Sequence, residues 1–339
     1  MPVSGGEGLF LQILSLPEIK PLLDMPAAIE TVRQILIDTA NGLIAQPEPV
    51  QILFDDQSGS FCGDCHIKAA QAKGLPYFAV KVATGFYQNS VRGLEVNNGL
   101  VLVLSSETGE PLALLQDEGW LTQMRTAAAG ALAASLKDVP KDGALGIIGT
   151  GTQARLQAEA IRSLLGIERI FVLGRTSQSI TAYLADMTQS GFRVSAVDDA
   201  KTLCWQSDIL VTATPATSPV ICADDVSNGL HIVAVGADSP GKCELAPDLF
   251  AQTDIIVTEN HSQCLDHGDF GSAVRVGHVH ETADHSLCNI LAGQHPDLDF
   301  GAASLSIVDL TGLGAQDLAV ASAVVTKKNL ASPRRMDPS

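Results

Sequence analysis

Gly149, Gly151 and Ala154 make a G-x-G-x-x-A pattern, whose spacing suits a pyrophosphate. The apolar run Ala144 to Ile148 ahead of it reads as a buried strand, and Gln153 to Leu165 behind it reads as a helix. Between such elements each small residue has a task. Gly149 permits the tight strand-to-helix turn, Gly151 lets a ligand come close to the backbone, and Ala154 lets the helix pack on the strand. The N–H groups of the first helical turn then face the phosphates. The pattern alone is weak, and its place between strand and helix favours a dinucleotide over an ordinary glycine-rich turn.

A dinucleotide site of this kind distinguishes its two cofactors about 20 residues further on, where a carboxylate binds the ribose 2′-hydroxyl of NAD. Here the second strand ends Leu173-Gly174-Arg175-Thr176-Ser177, with no carboxylate. A guanidinium fork at Arg175 and the hydroxyls of Thr176 and Ser177 suit a 2′-phosphate, so NADP(H) is expected over NAD(H). The plainer alternative is a solvated Arg175 before a helix cap.

Two other clusters look chemical at first sight. Cys62-Gly63-Asp64-Cys65-His66 spells the c-type haem attachment pattern, yet Met1 to Leu9 lacks the layout of an export signal. A zinc site would need a fourth ligand that the spacing does not name. A strand with two reduced thiols is the expectation. His278, His280 and His285 could bind a metal, and an exposed polar loop is the simpler account.

The elements that must hold these residues fall into two textures. Residues 1–8 read as a loose leader, Leu9 to Leu14 as a strand and Leu16 to Ile44 mostly as helix. Val50 to Phe54, Tyr77 to Val82 and Gly99 to Ser105 read as strands, and Ser106 to Glu110 as a hairpin turn before Leu112 to Leu115. An alanine-rich helix, Thr126 to Leu136, then leads into the glycine motif. Beyond it come strands at Ile170 to Leu173, Val194 to Val197, Ile209 to Thr212, His231 to Val235, Ile255 to Val257 and Leu305 to Leu310, alternating with helices. That alternation predicts an α/β fold with a Rossmann-type doubly wound sheet, beside a smaller α+β domain. The boundaries are residues 9–124 plus 313–330 for the substrate and dimerisation domain and 125–312 for the dinucleotide domain. The apolar helix Ala315 to Val325 is expected to return to the first segment, and residues 331–339 read as a loose end.

Composition narrows the partners. With 38 Asp and Glu against 21 Lys and Arg, the net charge of −17 argues against nucleic acid and anionic membrane surfaces. No apolar run reaches the 18 residues of a spanning helix. Seven scattered cysteines fit a reducing, cytoplasmic setting better than a disulfide framework.

Four further segments resemble the ornithine cyclodeaminase/mu-crystallin family. They are Lys81-Val82 with Asn89 to Gly93, Leu121-Thr122-Gln123-Met124-Arg125-Thr126-Ala127-Ala128, Gly236-Ala237-Asp238-Ser239-Pro240-Gly241-Lys242-Cys243-Glu244-Leu245, and Asp309 to Gly312 with Gln316-Asp317. The resemblance covers nearly the whole chain in order. It implies a homodimer and chemistry at a C=N bond beside a carboxylate. It also implies that Arg125 and Lys81 hold the substrate carboxylate, with Lys81 at the reacting centre, and that Asp238 is the catalytic acid/base. The residues alone leave Asp238 equally a turn-forming Asp before Ser-Pro-Gly. Thr152 and Gln153 resemble the phosphate-contacting pair, and Thr214 a cofactor contact. Val235, Gly236 and Lys242 match the nicotinamide end, and Leu310 and Thr311 the loop touching nicotinamide and substrate.

Two departures bear on the substrate. Many members carry Pro-Val-Arg or Pro-Pro-Arg where this chain has Pro49-Val50-Gln51. Ornithine cyclodeaminase has a Glu thirteen residues before its clamp lysine, and that spacing gives Lys68 here. A lysine repels a second ammonium and could replace the cation missing at Gln51. The expectation is therefore an NADP(H)-preferring reductase of a small α-imino acid, such as Δ1-pyrroline-2-carboxylate or Δ1-piperideine-2-carboxylate. Ornithine cyclodeaminase, an alanine dehydrogenase-type enzyme and a non-catalytic mu-crystallin-like binding protein are the alternatives.

Overall fold

A computed structural model describes residues 11–56, 58–140 and 142–330. The expected leader and tail, and the start of the first expected strand, lie outside the described residues. Two compact units form. One gathers the described residues up to Thr31, Gly42–Thr122 and those from Gly314 onward; the other comprises Val32–Asn41 and Gln123–Leu313.

The first unit carries strands β1 (Gln12–Ser15), β2 (Ile44–Ala45), β3 (Val50–Asp55), β4 (Phe61–Ala72), β5 (Tyr77–Phe86), β6 (Asn97–Ser105) and β7 (Pro111–Gln116). They form one sheet in the order β1-β7-β6-β5-β4-β2, with β3 also on β4. Only the β1–β7 pair is parallel. Alternation sorts the side chains, since successive residues of a strand face opposite ways. Tyr77, Ala79 and Lys81 of β5 are buried with Val101 and Val103 of β6, whereas Phe78, Val80, Leu102 and Leu104 are half-buried. The terminal helix Gly314–Lys327 is buried on almost every side and packs on β4 and β5. It thus returns to the first segment, as its apolar composition requires. Tyr77 and Thr326 close the contact with hydroxyls 3.1 Å apart.

One local reading holds and two change. Cys62 to His66 lies in a strand as expected, and that strand, β4, runs on to Ala72. The long first helix is broken after Leu22, and Met25–Ala40 is its main body; Pro21 withholds a backbone donor there. The alanine-rich helix starts at Trp120, six residues before the pattern suggested, and ends at Ala134.

The second unit holds eight parallel strands: β8 (Ala144–Ile148), β9 (Arg169–Leu173), β10 (Arg193–Ala196), β11 (Ile209–Thr212), β12 (Leu230–Ala234), β13 (Ile255–Thr258), β14 (Asp284–Ser286) and β15 (Leu305–Asp309). Their order is β10-β9-β8-β11-β12-β15-β13-β14. The first five run 3-2-1-4-5, the doubly wound order, with the direction of winding reversing beside β8. Strands β8, β11, β12, β13 and β15 are buried at every residue, which is why they are mostly apolar. Each fully buried Ile or Leu among them contributes about 1.5–3 kcal/mol. The short β14, Asp-His-Ser, is too polar for its sequence to suggest a strand.

Candidate active site

Gly149 turns the chain out of β8 at φ 119, and its N–H donates to the Leu173 carbonyl at 2.9 Å. A Cβ there would stand 2.6 Å from the Ala213 carbonyl oxygen, so sterics and dihedral both demand glycine. Gly151 caps the helix Thr152–Leu165 with no side-chain hydrogen bond, and a Cβ on it would meet nothing within 4 Å. The first-turn donors are therefore left without a side-chain cap beside open space, which fits a phosphate group. Ala154 is fully buried, and its carbonyl accepts from the Tyr183 hydroxyl at 3.3 Å. Thr152 is exposed, while Gln153 donates to the Gln123 carbonyl at 3.1 Å.

Arg175 is exposed just past β9. Thr176 is the N-cap of helix Ser177–Gln189, its hydroxyl accepting from the Ser179 N–H at 3.2 Å and donating to the Ser179 hydroxyl at 2.9 Å. Its side chain is thus committed to the helix end as well as available at its edge. No carboxylate stands between Leu173 and Ser179.

Helix Trp120–Ala134 brings Arg125 to this unit through small residues. Ala127, Ala128, Ala131 and Ala134 are fully buried, and a Cβ on Gly130 would overlap the Gln157 side chain. Gln157 donates to the Thr126 carbonyl at 3.0 Å, tying the helix to the one that begins at Thr152. Farther along, His231 Nε2 lies 3.0 Å from the Ala133 carbonyl and Nδ1 2.7 Å from the Ser306 hydroxyl. A neutral ring satisfies both partners, donating from Nε2 and accepting at Nδ1, and burial pushes its pKa down to about 4.

At the carboxyl ends of β12, β13 and β15 lies a concave cleft of about 290 Å³ lined by Arg125, Thr126, Ala129, Val235, Asp238, Glu259, Leu310, Thr311 and Gly312. Open parallel sheets bind ligands at that edge. Asp238 follows β12 and accepts from Lys242 Nζ at 2.6 Å and from the Ser239 hydroxyl at 3.0 Å. Glu259 is 2% exposed, and its Oε2 accepts from the Gly312 N–H at 2.5 Å. The Arg125 guanidinium lies directly against Gly312. An apolar wall, a fork donor and two carboxylates thus share one small cleft, and the Lys242 ammonium pairs with one of those carboxylates. Such a set can bind an anion and manage a proton.

Thr214, after β11, gives both its N–H and its hydroxyl to Glu244 Oε1 at 2.7 Å. Gly236 N–H and the Thr212 hydroxyl go to Glu244 Oε2, at 2.7 and 2.6 Å. Burial and the neighbouring Asp269 carboxyl push Glu244 up to about 7 despite these four donors. Asp269 is pushed up to about 6 by burial, and Asp309 is raised well above the usual range by burial and by Asp269.

The first unit carries the remaining expected residues. Lys81 is 3% exposed and its ammonium stands 3.0 Å from Asp317 Oδ2, itself 2% exposed. Lys68 lies directly opposite Lys81 in the β4–β5 register, on the same face, and is 7% exposed. Like charges side by side are costly to bury, and the Asp317 carboxylate offsets the Lys81 charge. Gln51 of β3 pairs with His66, its amide nitrogen 3.4 Å from Nε2, and His66 lies 3.7 Å from Asp64. Cys62 and Cys65 are free thiols. His278 and His280 are exposed, and the His285 ring packs on His295 at 5.2 Å. No three His, Cys, Asp or Glu among the described residues are grouped to hold a metal ion.

The structure gathers Arg125, Val235, Asp238, Leu310 and Thr311 in one cleft, and Lys68 with Lys81 on one sheet face. Spacing alone does not single out Glu259 or Glu244. The signal that finds Glu259 is position: it is the first residue past β13, at the edge where strand ends converge on ligands.

Strand order, glycine-capped helix and strand-end cleft define a Rossmann-type α/β protein of the dehydrogenase class. The chain belongs to the ornithine cyclodeaminase/mu-crystallin family, whose model matches residues 12–331. It is 35% identical to an uncharacterized cyclodeaminase of Sinorhizobium fredii over 77% of this chain and 79% of that one. It is 32% identical to a Δ1-pyrroline-2-carboxylate reductase of Bacillus cereus over 75% of this chain and 78% of that one. Among solved structures it matches the Thermococcus litoralis Δ1-pyrroline-2-carboxylate reductase in complex with NADH and L-proline. That match has a TM-score of 0.85 and 25% identity, covering 94% of this chain and 98% of that one. The iminosuccinate reductase of Paracoccus denitrificans, in complex with NAD+, matches with a TM-score of 0.84 and 27% identity, over 94% and 96%. No helix among the described residues is long and apolar enough to cross a membrane.

Proposed function

We propose that this protein is a nicotinamide-dinucleotide-dependent reductase that converts a small α-imino acid to the L-amino acid. The observation that carries the reading is the cleft in which Arg125, Asp238 and Thr311 meet the Val235 and Leu310 wall at the edge of a Rossmann-type sheet. The reductase names of the relatives support it, and the G-x-G-x-x-A turn with its uncapped first-turn donors fits the dinucleotide.

When bound, the dinucleotide supplies a hydride to the imine carbon. Arg125 fixes the substrate carboxylate through its guanidinium fork. Fixing the carboxylate presents the neighbouring C=N in one orientation, and orientation is a large share of such a barrier. Asp238, an acceptor poised by Lys242 and Ser239, holds the N–H of the protonated imine, so that the nitrogen takes the electron pair as the carbon gains hydride. Val235 and Leu310 keep water from the reacting carbon, and Thr311 steadies the substrate.

A cyclic ketimine, Δ1-pyrroline-2-carboxylate or Δ1-piperideine-2-carboxylate, is the proposed substrate. Lys68 beside Lys81 on one buried face supports a carboxylate clamp in which Lys68 takes the place of the arginine missing at Gln51, and it disfavours a diamine. Exposed Arg175, with no acidic residue at the end of β9, supports NADP(H) over NAD(H). The protein is proposed to act as a homodimer in the cytoplasm. Its sheet offers Val80, Leu102, Leu114 and Ile13 as a directly paired apolar row, half-buried to 56% exposed.

The test is oxidation of NADPH and NADH against the two ketimines, and against pyruvate with and without ammonia. Consumption with either ketimine is expected, faster with NADPH. Turnover that needs free ammonia would move the reading to an amino-acid dehydrogenase, and ammonia release from ornithine without net cofactor change would move it to a cyclodeaminase.

A further inference from the structure

We infer that Glu244 is the positioning residue for the nicotinamide end of the dinucleotide, a brace that registers the loops after β11 and β12 against each other. The inference rests on the dinucleotide reading above and adds a residue to it.

Glu244 is fully buried, and it contacts neither the cleft nor solvent. Its carboxylate spans two loops. Oε1 takes the Thr214 N–H and hydroxyl, and Oε2 takes the Gly236 N–H together with the Thr212 hydroxyl, all at 2.6–2.7 Å. Charge-assisted bonds of this length are about twice as strong as neutral ones. Gly236 is pressed so closely that a Cβ would stand 2.5 Å from Glu244 Cδ and overlap the Thr214 carbonyl oxygen. From Gly236 the chain runs two residues to Asp238, so the register of the brace sets where that carboxylate stands. The brace itself is anchored. Glu244 N–H donates to Asp269 Oδ1 at 2.9 Å, and its carbonyl accepts from the Val220 N–H at 2.7 Å. Asp309, whose Oδ2 accepts from the Phe270 N–H at 2.9 Å, extends the frame to the end of β15, directly before Leu310 and Thr311. A fully buried acid that binds four donors from the ends of β11 and β12 acts through what it holds.

Each carboxylate oxygen serves one backbone N–H, and this makes Glu244→Gln a sharp test. A glutamine has one acceptor oxygen, so whichever way its amide turns, either Thr214 N–H or Gly236 N–H faces an NH2 group. The loss of one such bond in a buried network costs roughly tenfold or more in the interaction it supports. Wild-type protein and Glu244→Gln are titrated calorimetrically with NADPH and with 2′-phospho-ADP-ribose, which lacks the nicotinamide. The variant is expected to bind the truncated probe within about twofold of wild type, and NADPH at least roughly tenfold more weakly, with kcat reduced alongside. Thr214→Val, which removes one donor and leaves the carboxylate, is expected to show the same split to a smaller degree and carries the test if Glu244→Gln fails to fold. Equal weakening of both probes would make Glu244 a general stabiliser, and no weakening would make it idle; either result overturns the inference while the dinucleotide reading stands. Wild-type protein that binds neither these two probes nor NADH and ADP-ribose overturns both readings.

Discussion

Arg125 and Asp238 share a cleft but have different kinds of work, and substitution separates them. Arg125→Lys keeps the charge and loses the planar fork, so kcat/KM for the imino acid is expected to fall about 10–100-fold, with the dinucleotide affinity unchanged. Asp238→Asn keeps the shape and cannot hold an iminium proton as an anion does. Its kcat is expected to drop roughly 10²–10⁴-fold with little change in dinucleotide binding, and a near-normal kcat would reassign that proton to water. Lys68→Ala tests the replacement of the cation absent at Gln51: the KM for a ketimine carboxylate is expected to rise, and an unchanged value ends that idea. At this scale the sequence was most informative where a residue sits inside a specific motif. Gly149 was legible in that way, whereas the proposed roles of Arg125 and Asp238 come from the family resemblance. Glu259 was not legible, because a lone Glu after a strand has no spacing to mark it and gains its place only when β13 lies beside β15.

Among the elements, the turn from β8 into helix Thr152–Leu165 tolerates least. Gly149→Ala puts a Cβ against the Ala213 carbonyl and forces an L-residue to φ 119. The expected result is loss of dinucleotide binding and a lower melting temperature, read by calorimetry and a thermal scan. His231 joins β12, β15 and the helix Trp120–Ala134 through both ring nitrogens. Its pKa of about 4 in the fold lies below the ordinary 6.5, so the unfolded chain binds the proton more readily. Stability from this residue is present above about pH 6.5 and is lost as pH falls toward 4. Relative to His231→Asn, which does not titrate, the wild type is expected to lose about 3 kcal/mol of unfolding free energy between pH 7 and pH 4, measured by urea denaturation at each pH. Glu244 and Asp269 act in the opposite direction: their raised pKa values mean that the fold gains stability as they protonate below about 7 and 6. The comparison with His231→Asn cancels that contribution.

At the scale of the whole molecule the apolar row Ile13, Leu114, Leu102 and Val80 crosses four paired strands, half-buried at three residues and exposed at Ile13. The proposed homodimer gives it a use. Leu102→Glu puts a charge in the middle of that row and is expected to yield a monomer in sedimentation experiments, with the far-ultraviolet circular dichroism unchanged. A variant that sediments as the wild type does would leave the row unexplained by self-association.

The strand-helix alternation from Ala144 onward was readable in the sequence because parallel strands buried on both faces must be apolar along their length, and the helices between them punctuate those runs. Seven of the eight strands in the second unit are found within a residue or so of where that pattern put them. The motif at Gly149 is equally local, since a tight turn and a close approach both demand small residues. What only tertiary structure decided is pairing across distance. It brought Lys81 to Asp317 and Lys68 to Lys81, carried β4 on to Ala72, and set β15 between β12 and β13. It also turned Glu244 from one letter of a motif into the holder of two loops. Hydrogen bonds and charges between residues far apart in the chain leave no periodicity in it, and their energies exist only once the fold has removed them from water.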